Sequence, residues 1–404
     1  MNIENIRKDF PILDKKINGR PIVYFDNACV TLKPKQVTEA MRGYYEDYTS
    51  CAGRSAHKFG KRVTEEVLKS RKTLQRFVGA KNEKEIVFTR NTTEAINLVA
   101  NCLNLEKGSA VLNSDKEHNS NLVPWQFLEK RIGIKHEILQ GNDDGTFKLD
   151  KFEERMSLGN VKLVAMVHIS NLDGATNPIK EITKIAHDAG ALVLVDAAQA
   201  MPHKEIDVRK LNVDFMAFSG HKMLGPSGIG ALYAKYHLLD EMSPFMVGGD
   251  TVVDTTYHSA QLEKPPEKFE AGLQDYAGII GFAAAAEYLT KIGKENICKH
   301  ETSLNRKISE EISSINQLKI IGPKAAEERS GIISFNIGKK NPHDIALMLD
   351  SVHNIMIRSG AHCVNSWFNA HNLSGSARAS LYLYNTVEET NIFVDSLKKL
   401  SNVI

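Results

Sequence analysis

The chain has 404 residues, 42% hydrophobic and 25% charged, with a formal net charge of +2. That length suffices for a large core and a second domain. The near-neutral balance, with no basic block and no aromatic–basic stripe, excludes a nucleic-acid binder, and no apolar run is long enough to span a membrane.

The start, Met1-Asn-Ile-Glu-Asn-Ile-Arg-Lys-Asp, carries acids and no apolar core, unlike a secretory signal. The five cysteines (29, 51, 102, 298, 363) are odd in number and scattered without a CxxC pair. This argues for reduced thiols in a cytoplasmic protein, and against a zinc site or a disulfide framework. Residues 4–12 predict a short helix that Pro11 ends. Val23-Tyr-Phe25 predicts a strand leading into Asp26-Asn-Ala-Cys29. Residues 35–48 and 60–77 carry helical spacing, and the polar Ser50-Cys51-Ala-Gly53-Arg54-Ser-Ala-His57 lies between them.

Ile86-Val-Phe-Thr-Arg90 predicts a strand, and Asn91-Thr92-Thr93-Glu94 opens a helix running to about Leu103. Asn91 with Glu94 three residues on is a capping box. The same helix start, with free N–H groups and two threonine hydroxyls, is also an anion site. Another strand precedes Glu117-His118-Asn119-Ser-Asn121. Val161–Ser170 predicts a buried strand ending at Asn171. Strands followed by helices, repeated from about 86 to 235, imply an α/β fold with a mostly parallel sheet and right-handed crossovers.

Two strand ends carry the chemistry. Ala191-Leu-Val-Leu-Val195 is an apolar run ending in Asp196, with Gln199 three residues on. The run ending in Phe218 breaks on Ser219-Gly-His221-Lys222 and enters a glycine-rich turn. An acid at one strand end and a lysine at the next suit pyridoxal phosphate. The lysine attaches the cofactor, and the acid keeps the pyridine nitrogen protonated so that the ring accepts electrons.

Further on come Gly248-Gly249-Asp250-Thr251, then Phe269-Glu270-Ala-Gly272-Leu273-Gln274-Asp275, then a long helix over about 276–292. Shorter strands and helices of mixed polarity follow. There Cys363 sits on a Ser-Gly-Ala-His loop close in sequence to Arg358, surroundings that favour a mobile thiolate. Arg378 lies in a strand of small and apolar residues, where its charge needs an anion; a substrate α-carboxylate is the natural partner.

These segments together resemble the class V aminotransferase group, most of all the cysteine desulfurases of the SufS type. The likeness runs from about residue 3 to the C-terminus and rests on Asp196-Ala-Ala-Gln199, Ser219-Gly-His221-Lys222, Glu117-His118, Arg358-Ser-Gly-Ala-His-Cys363 and Arg378-Ala-Ser380. It implies a pyridoxal phosphate-dependent transferase of fold type I. The large domain, residues 21–291, would hold a mostly parallel seven-stranded sheet; residues 1–20 and 292–404 would form a smaller α+β domain. Lys222, Cys363 and His118 are then the catalytic residues, with His118 stacked on the cofactor ring. Thr92, Thr93, Ser219 and His221 hold the phosphate, Asn171 and Gln199 approach O3′, and Asp196 pairs with the ring nitrogen. Arg378, Asn171 and Arg358 bind substrate, and Thr251 and Arg54 reach the neighbouring site of a homodimer. The implied reaction takes sulfur from L-cysteine, leaves L-alanine and loads Cys363 as a persulfide for a protein acceptor, in iron–sulfur cluster or other sulfur biosynthesis.

This chain departs from the family pattern at Cys29, Gly53, Asn119, Ala361 and Leu273-Gln274-Asp275. Two alternative readings stay open. One is a selenocysteine lyase or another class V reaction on the same scaffold. The other is an inactive, cofactor-bearing partner in a sulfur-transfer complex.

Overall fold

The alternation of strands and helices closes into one seven-stranded sheet in the computed structural model, which describes residues 1–403. Its strands are β1 (Ile86–Thr89), β2 (Ala110–Ser114), β3 (Lys135–Leu139), β4 (Val161–Val167), β5 (Leu192–Asp196), β6 (Phe215–Ser219) and β7 (Gly230–Ala234). They lie in the order β1-β7-β6-β5-β4-β2-β3. β7 runs antiparallel to both β1 and β6, and the remaining pairs are parallel. The apolar runs are continuous because both faces are covered. In β5, Val193 and Val195 enter one core and Leu194 the other; in β6, Met216 and Phe218 oppose Phe215 and Ala217.

Helices α1 (Lys35–Asp47) and α2 (Lys58–Val78) pack with the long helix α4 (Tyr276–Ile292) on one face, while α3 (Thr92–Cys102) follows β1. A third core belongs to a second sheet of β8 (Leu318–Ile321), β9 (Ile332–Ile337), β10 (Arg358–Gly360) and β11 (Ser376–Ser380). Its order is β8-β9-β11-β10, antiparallel throughout. Leu304 and Ile308 of α5 (Lys294–Ile312) and Phe393 and Leu397 of α6 (Val387–Val403) fill this core. Val23 and Phe25 also lie in it, and Val23–Tyr24 pairs in parallel with Ile355–Met356. The segment from Val23 to Cys29 therefore leads from the third core to the C-terminal edge of the first sheet.

Two local expectations differ from the structure. The first helix ends at Arg7, and a 3₁₀ turn over Pro11–Asp14 follows. Pro11 disfavours helical geometry in the residue before it, and Phe10 is accordingly non-helical (φ −116°, ψ 79°). The strand expected to reach Ser170 stops at Val167, because Ser170 donates its N–H to the Ala175 carbonyl and turns the chain back.

Candidate active site

The C-terminal ends of β2, β4, β5 and β6, the start of α3, and the edge formed by β10 and β11 enclose one cavity of about 230 Å³. Thr92, Thr93, His118, Asn171, Asp196, Gln199, Ser219, His221, Lys222, Arg358, Cys363 and Arg378 all line it. Strand ends of open α/β sheets are where ligands bind, because loops there converge on rigid supports. Thr251 lies elsewhere: its side chain is fully buried, and its hydroxyl exchanges hydrogen bonds with the Gly248 N–H and carbonyl, both at 2.9 Å.

One end of the cavity suits an anion. Asn91 caps α3 by accepting the Glu94 N–H at 3.0 Å. The expected capping box is only half made, because the Glu94 carboxylate accepts from the Arg90 N–H instead. Thr92 donates its N–H to the Ser219 hydroxyl at 2.8 Å, and the two hydroxyls meet at 2.7 Å. The Thr93 hydroxyl pairs with Ser120 at 2.7 Å. The helix terminus thus presents the Thr93 amide and a ring of hydroxyls.

The middle holds the acid–lysine pair. Asp196 is buried and accepts the Ala198 N–H at 2.9 Å. Burial raises its pKa, and Lys222 opposes the rise; burial lowers that of Lys222, and Asp196 opposes the fall. A cation set against Asp196 favours its ionised form. His118 accepts the Ser120 N–H on Nδ1 at 3.0 Å, so the neutral ring carries its proton on Nε2. Burial pushes its pKa down to about 3, with Lys222 and Arg378 adding to the fall. His221 falls to about 4, first through burial and then through the Lys222 and Lys33 cations.

At the far end Arg378 is buried in β11. Its Nη1 donates to the Asn171 carbonyl at 2.7 Å, while Nη2 stands 3.6 Å from Asp26 Oδ1, outside hydrogen-bond range. Arg378 Nε, Asn171 Oδ1 and Gln199 Oε1 are buried with no hydrogen-bond partner among the described residues. Such groups are costly unless a ligand meets them. Gln199 is held through its Nε2, which donates to the Ala28 carbonyl at 2.7 Å. Cys363 is exposed, and both it and His362 adopt left-handed backbone (φ 59° and 50°), a conformation that clusters at functional sites. Arg358, expected beside Cys363, instead donates to Cys29 Sγ at 3.5 Å. Cys51 is exposed and is not among the cavity's lining residues.

Several residues escaped sequence reasoning. Glu117 is fully buried and accepts from Ser114 Oγ (2.5 Å), Asn121 Nδ2 (2.7 Å) and the Val167 N–H (2.9 Å), locking the loop that carries His118. His362 is buried, with Nε2 2.9 Å from Ser376 Oγ. Both lie inside the Glu117-His118 and Arg358–Cys363 motifs, yet only the tertiary contacts single them out. The Leu273-Gln274-Asp275 departure has a local account: Asp275 caps α4 by accepting the Gly278 N–H at 2.8 Å, and Gln274 donates to the Ala271 and Gly272 carbonyls.

The family model described as Aminotransferase class-V matches residues 23–393. A probable cysteine desulfurase of Synechocystis sp. is 42% identical over 397 residues, covering 97% of this chain and 94% of that protein. A cysteine desulfurase of Haloferax volcanii is 37% identical over 413 residues, covering 98% and 96%. The apo structure of a cysteine desulfurase from Thermococcus onnurineus matches with a TM-score of 0.95 at 38% identity, covering 99% of this chain and 98% of that one. The match to the family model and these full-length relatives place this chain in the aminotransferase class-V family.

Proposed function

We propose that the chain is a pyridoxal 5′-phosphate-dependent cysteine desulfurase of the SufS type, turning L-cysteine into L-alanine and loading the sulfur on Cys363. One observation carries this reading. A lysine, a buried aspartate, an anion-type helix start, a buried arginine and an exposed cysteine line a single cavity. The unpartnered Gln199 Oε1, Asn171 Oδ1 and Arg378 Nε fit a polar ring substituent and a carboxylate.

When bound, the cofactor supplies an aldehyde that takes the substrate amine and a ring that accepts the electron pair released at Cα. Lys222 would hold the cofactor, and its free amine is placed to take the Cα proton. Asp196 keeps a proton on the ring nitrogen. Thr92, Thr93, Ser219 and His221 hold the phosphate. Arg378 exchanges its weak contact with Asp26 for the substrate α-carboxylate, with Asn171 and Arg358 beside it. His118, neutral at physiological pH, moves a proton. Cys363 attacks the substrate sulfur. An S–S bond forms as Cβ–S breaks, leaving a persulfide on Cys363 and a three-carbon fragment that is protonated to alanine.

The persulfide then passes to a protein acceptor in the cytoplasm, for iron–sulfur cluster or other sulfur biosynthesis. The active form is a homodimer. Arg54 and Asp250 form an ion pair at 2.5 Å, which joins the two segments read as reaching the neighbouring site, neither of which lines its own cavity. Exposed Phe245, Met246, Val247 and Leu273 lie on or near those segments. With a dithiol present to reduce the persulfide and release its sulfur, equimolar alanine and sulfide from cysteine, with no 2-oxo acid consumed, is the expected outcome. Consumption of a 2-oxo acid would instead indicate transamination.

A further inference from the structure

The carbonyl oxygen of His221, in the peptide that leads into Lys222, accepts three donors. They are the Thr31 N–H at 3.0 Å, the Thr31 hydroxyl at 3.1 Å and the Lys33 ammonium at 3.0 Å. Lys33 also donates to the Thr31 carbonyl at 2.7 Å. Burial pushes its pKa down to about 7, with no acid opposing the fall. A lysine that merely filled space would send its amine to water. Withdrawing an ammonium from water without a counter-ion is costly, and the oxygens it meets are what offset that cost.

The far side of Lys222 is held by the same segment. The Thr31 hydroxyl accepts the Leu224 N–H at 2.9 Å. Leu224 sits at φ +66°, a left-handed conformation that a leucine keeps only when its surroundings impose it. Residues 31–33 therefore grip the carbonyl one residue before Lys222 and the amide two residues after it. They also continue from Ala28, whose carbonyl anchors Gln199, and Cys29, which lines the cavity.

We propose that Lys33 is a positioning residue: its amine clamps the His221 carbonyl and so fixes where the Lys222 amine stands in the cavity. This rests on the reading of Lys222 as the cofactor-bearing lysine. The amine donates in either protonation state, and any charge on it strengthens the bond, because charge-assisted hydrogen bonds are roughly twice as strong as neutral ones. Small displacements of a reacting group cost large factors in rate.

The test uses the cofactor-loaded enzyme. Borohydride reduction of the wild type and peptide mass spectrometry come first. An adduct on another lysine defeats the reading of Lys222, independently of Lys33. With the adduct on Lys222, Lys33→Met is compared with wild type at equal bound cofactor. The expected result is a kcat lowered about ten-fold, equal to about 1.4 kcal/mol, with the KM for cysteine within about two-fold. The visible-edge absorption band of the bound cofactor should also shift or shrink. Lys33→Arg, which keeps a cationic donor, should recover part of both. If Lys33→Met does not fold, Lys33→Gln, which donates without charge, is read the same way. An unchanged kcat and spectrum, a change in KM alone, or a loss of stability with the spectrum intact overturns the proposal.

Discussion

The backbone N–H of Asn119 donates to the carbonyl oxygen of Cys363 at 2.7 Å. The loop that carries the candidate proton-moving histidine is thereby tied to the loop that carries the candidate persulfide cysteine. A second bond, from Asn119 Nδ2 to Asn365 Oδ1 at 3.0 Å, strengthens the tie. The backbone of Cys363 is thus anchored while its side chain stays exposed, the combination a sulfur carrier needs.

Cys363→Ser keeps the size of the side chain but cannot form a persulfide. Alanine formation from cysteine should be abolished, while much of the activity on selenocysteine is retained, because selenium leaves without a nucleophile's help. With limiting cysteine and no reductant, the wild type should carry one extra sulfur on the Cys363 peptide. Extra sulfur on Cys29 or Cys51, or normal desulfuration by the variant, would show that another group takes the sulfur.

Asp196 is the clearest electrostatic prediction. Its carboxylate is buried beside Lys222, and a protonated ring nitrogen is the cation that would keep it ionised. Asp196→Ala should still bind cofactor but lose turnover by roughly 10²–10³-fold, the scale for losing one preorganised electrostatic contact. Near-wild-type turnover in a steady-state alanine assay would remove Asp196 from this role.

Most of the cavity was legible because its chemistry sits at strand ends. An apolar run that stops on Asp196 or on Ser219-Gly-His221-Lys222 announces both the strand and the residue it presents. Arg378 was legible because a charge inside a small-residue strand needs a reason. Glu117, Asp26 and Lys33 were not, since each acts on groups distant in sequence, such as the Val167 amide, Arg378 and the His221 carbonyl. The pairing of Arg358 with Cys29 rather than Cys363 was likewise invisible, because it depends on how β10 lies against the segment after Phe25. Thr251 does not line the cavity of its own chain, so the role proposed for it needs a second subunit.

That second subunit can be tested by mixing Lys222→Ala chains with Thr251→Ala chains. If Thr251 serves the neighbour, each mixed dimer has one site with both defects and one with neither, and activity partly recovers. No recovery despite verified subunit exchange would assign Thr251 to its own subunit or to no site.

Arg71 and Glu270 hold α2 to the segment before α4 with two parallel bonds, at 2.6 and 2.8 Å, both side chains almost fully buried. Glu270 also accepts the Phe88 N–H of β1 at 2.7 Å. Arg71→Ala would leave a buried carboxylate without its counter-ion, a loss of about 3–5 kcal/mol. Denaturant midpoints at constant m-value should register it; a change below about 1 kcal/mol would mean that water or another cation replaces the guanidinium.

Glu117 gives a pH prediction with a definite sign. Burial pushes its pKa up to about 8, against the opposing bonds from Ser114, Val167 and Asn121, while its usual value is 4.5. Between those values the folded protein holds a proton that the unfolded chain releases. Its contribution to stability is therefore full below about pH 4.5 and declines as pH rises towards 8. His168 acts the other way. It is buried and held down to about 3 by burial and the nearby Lys204 cation, so its contribution is full above 6.5 and is lost as pH falls. The two slopes, each up to about 1.4 kcal/mol per pH unit, offset one another between roughly pH 4.5 and 6.5. Glu117→Gln removes one of them. The variant should lose stability on acidification from pH 6.5 to 5 more steeply than the wild type, by up to about that amount per unit. Urea unfolding at pH 5.0, 5.75 and 6.5 measures the difference; parallel curves for the two proteins would show that Glu117 is ionised in the folded state throughout.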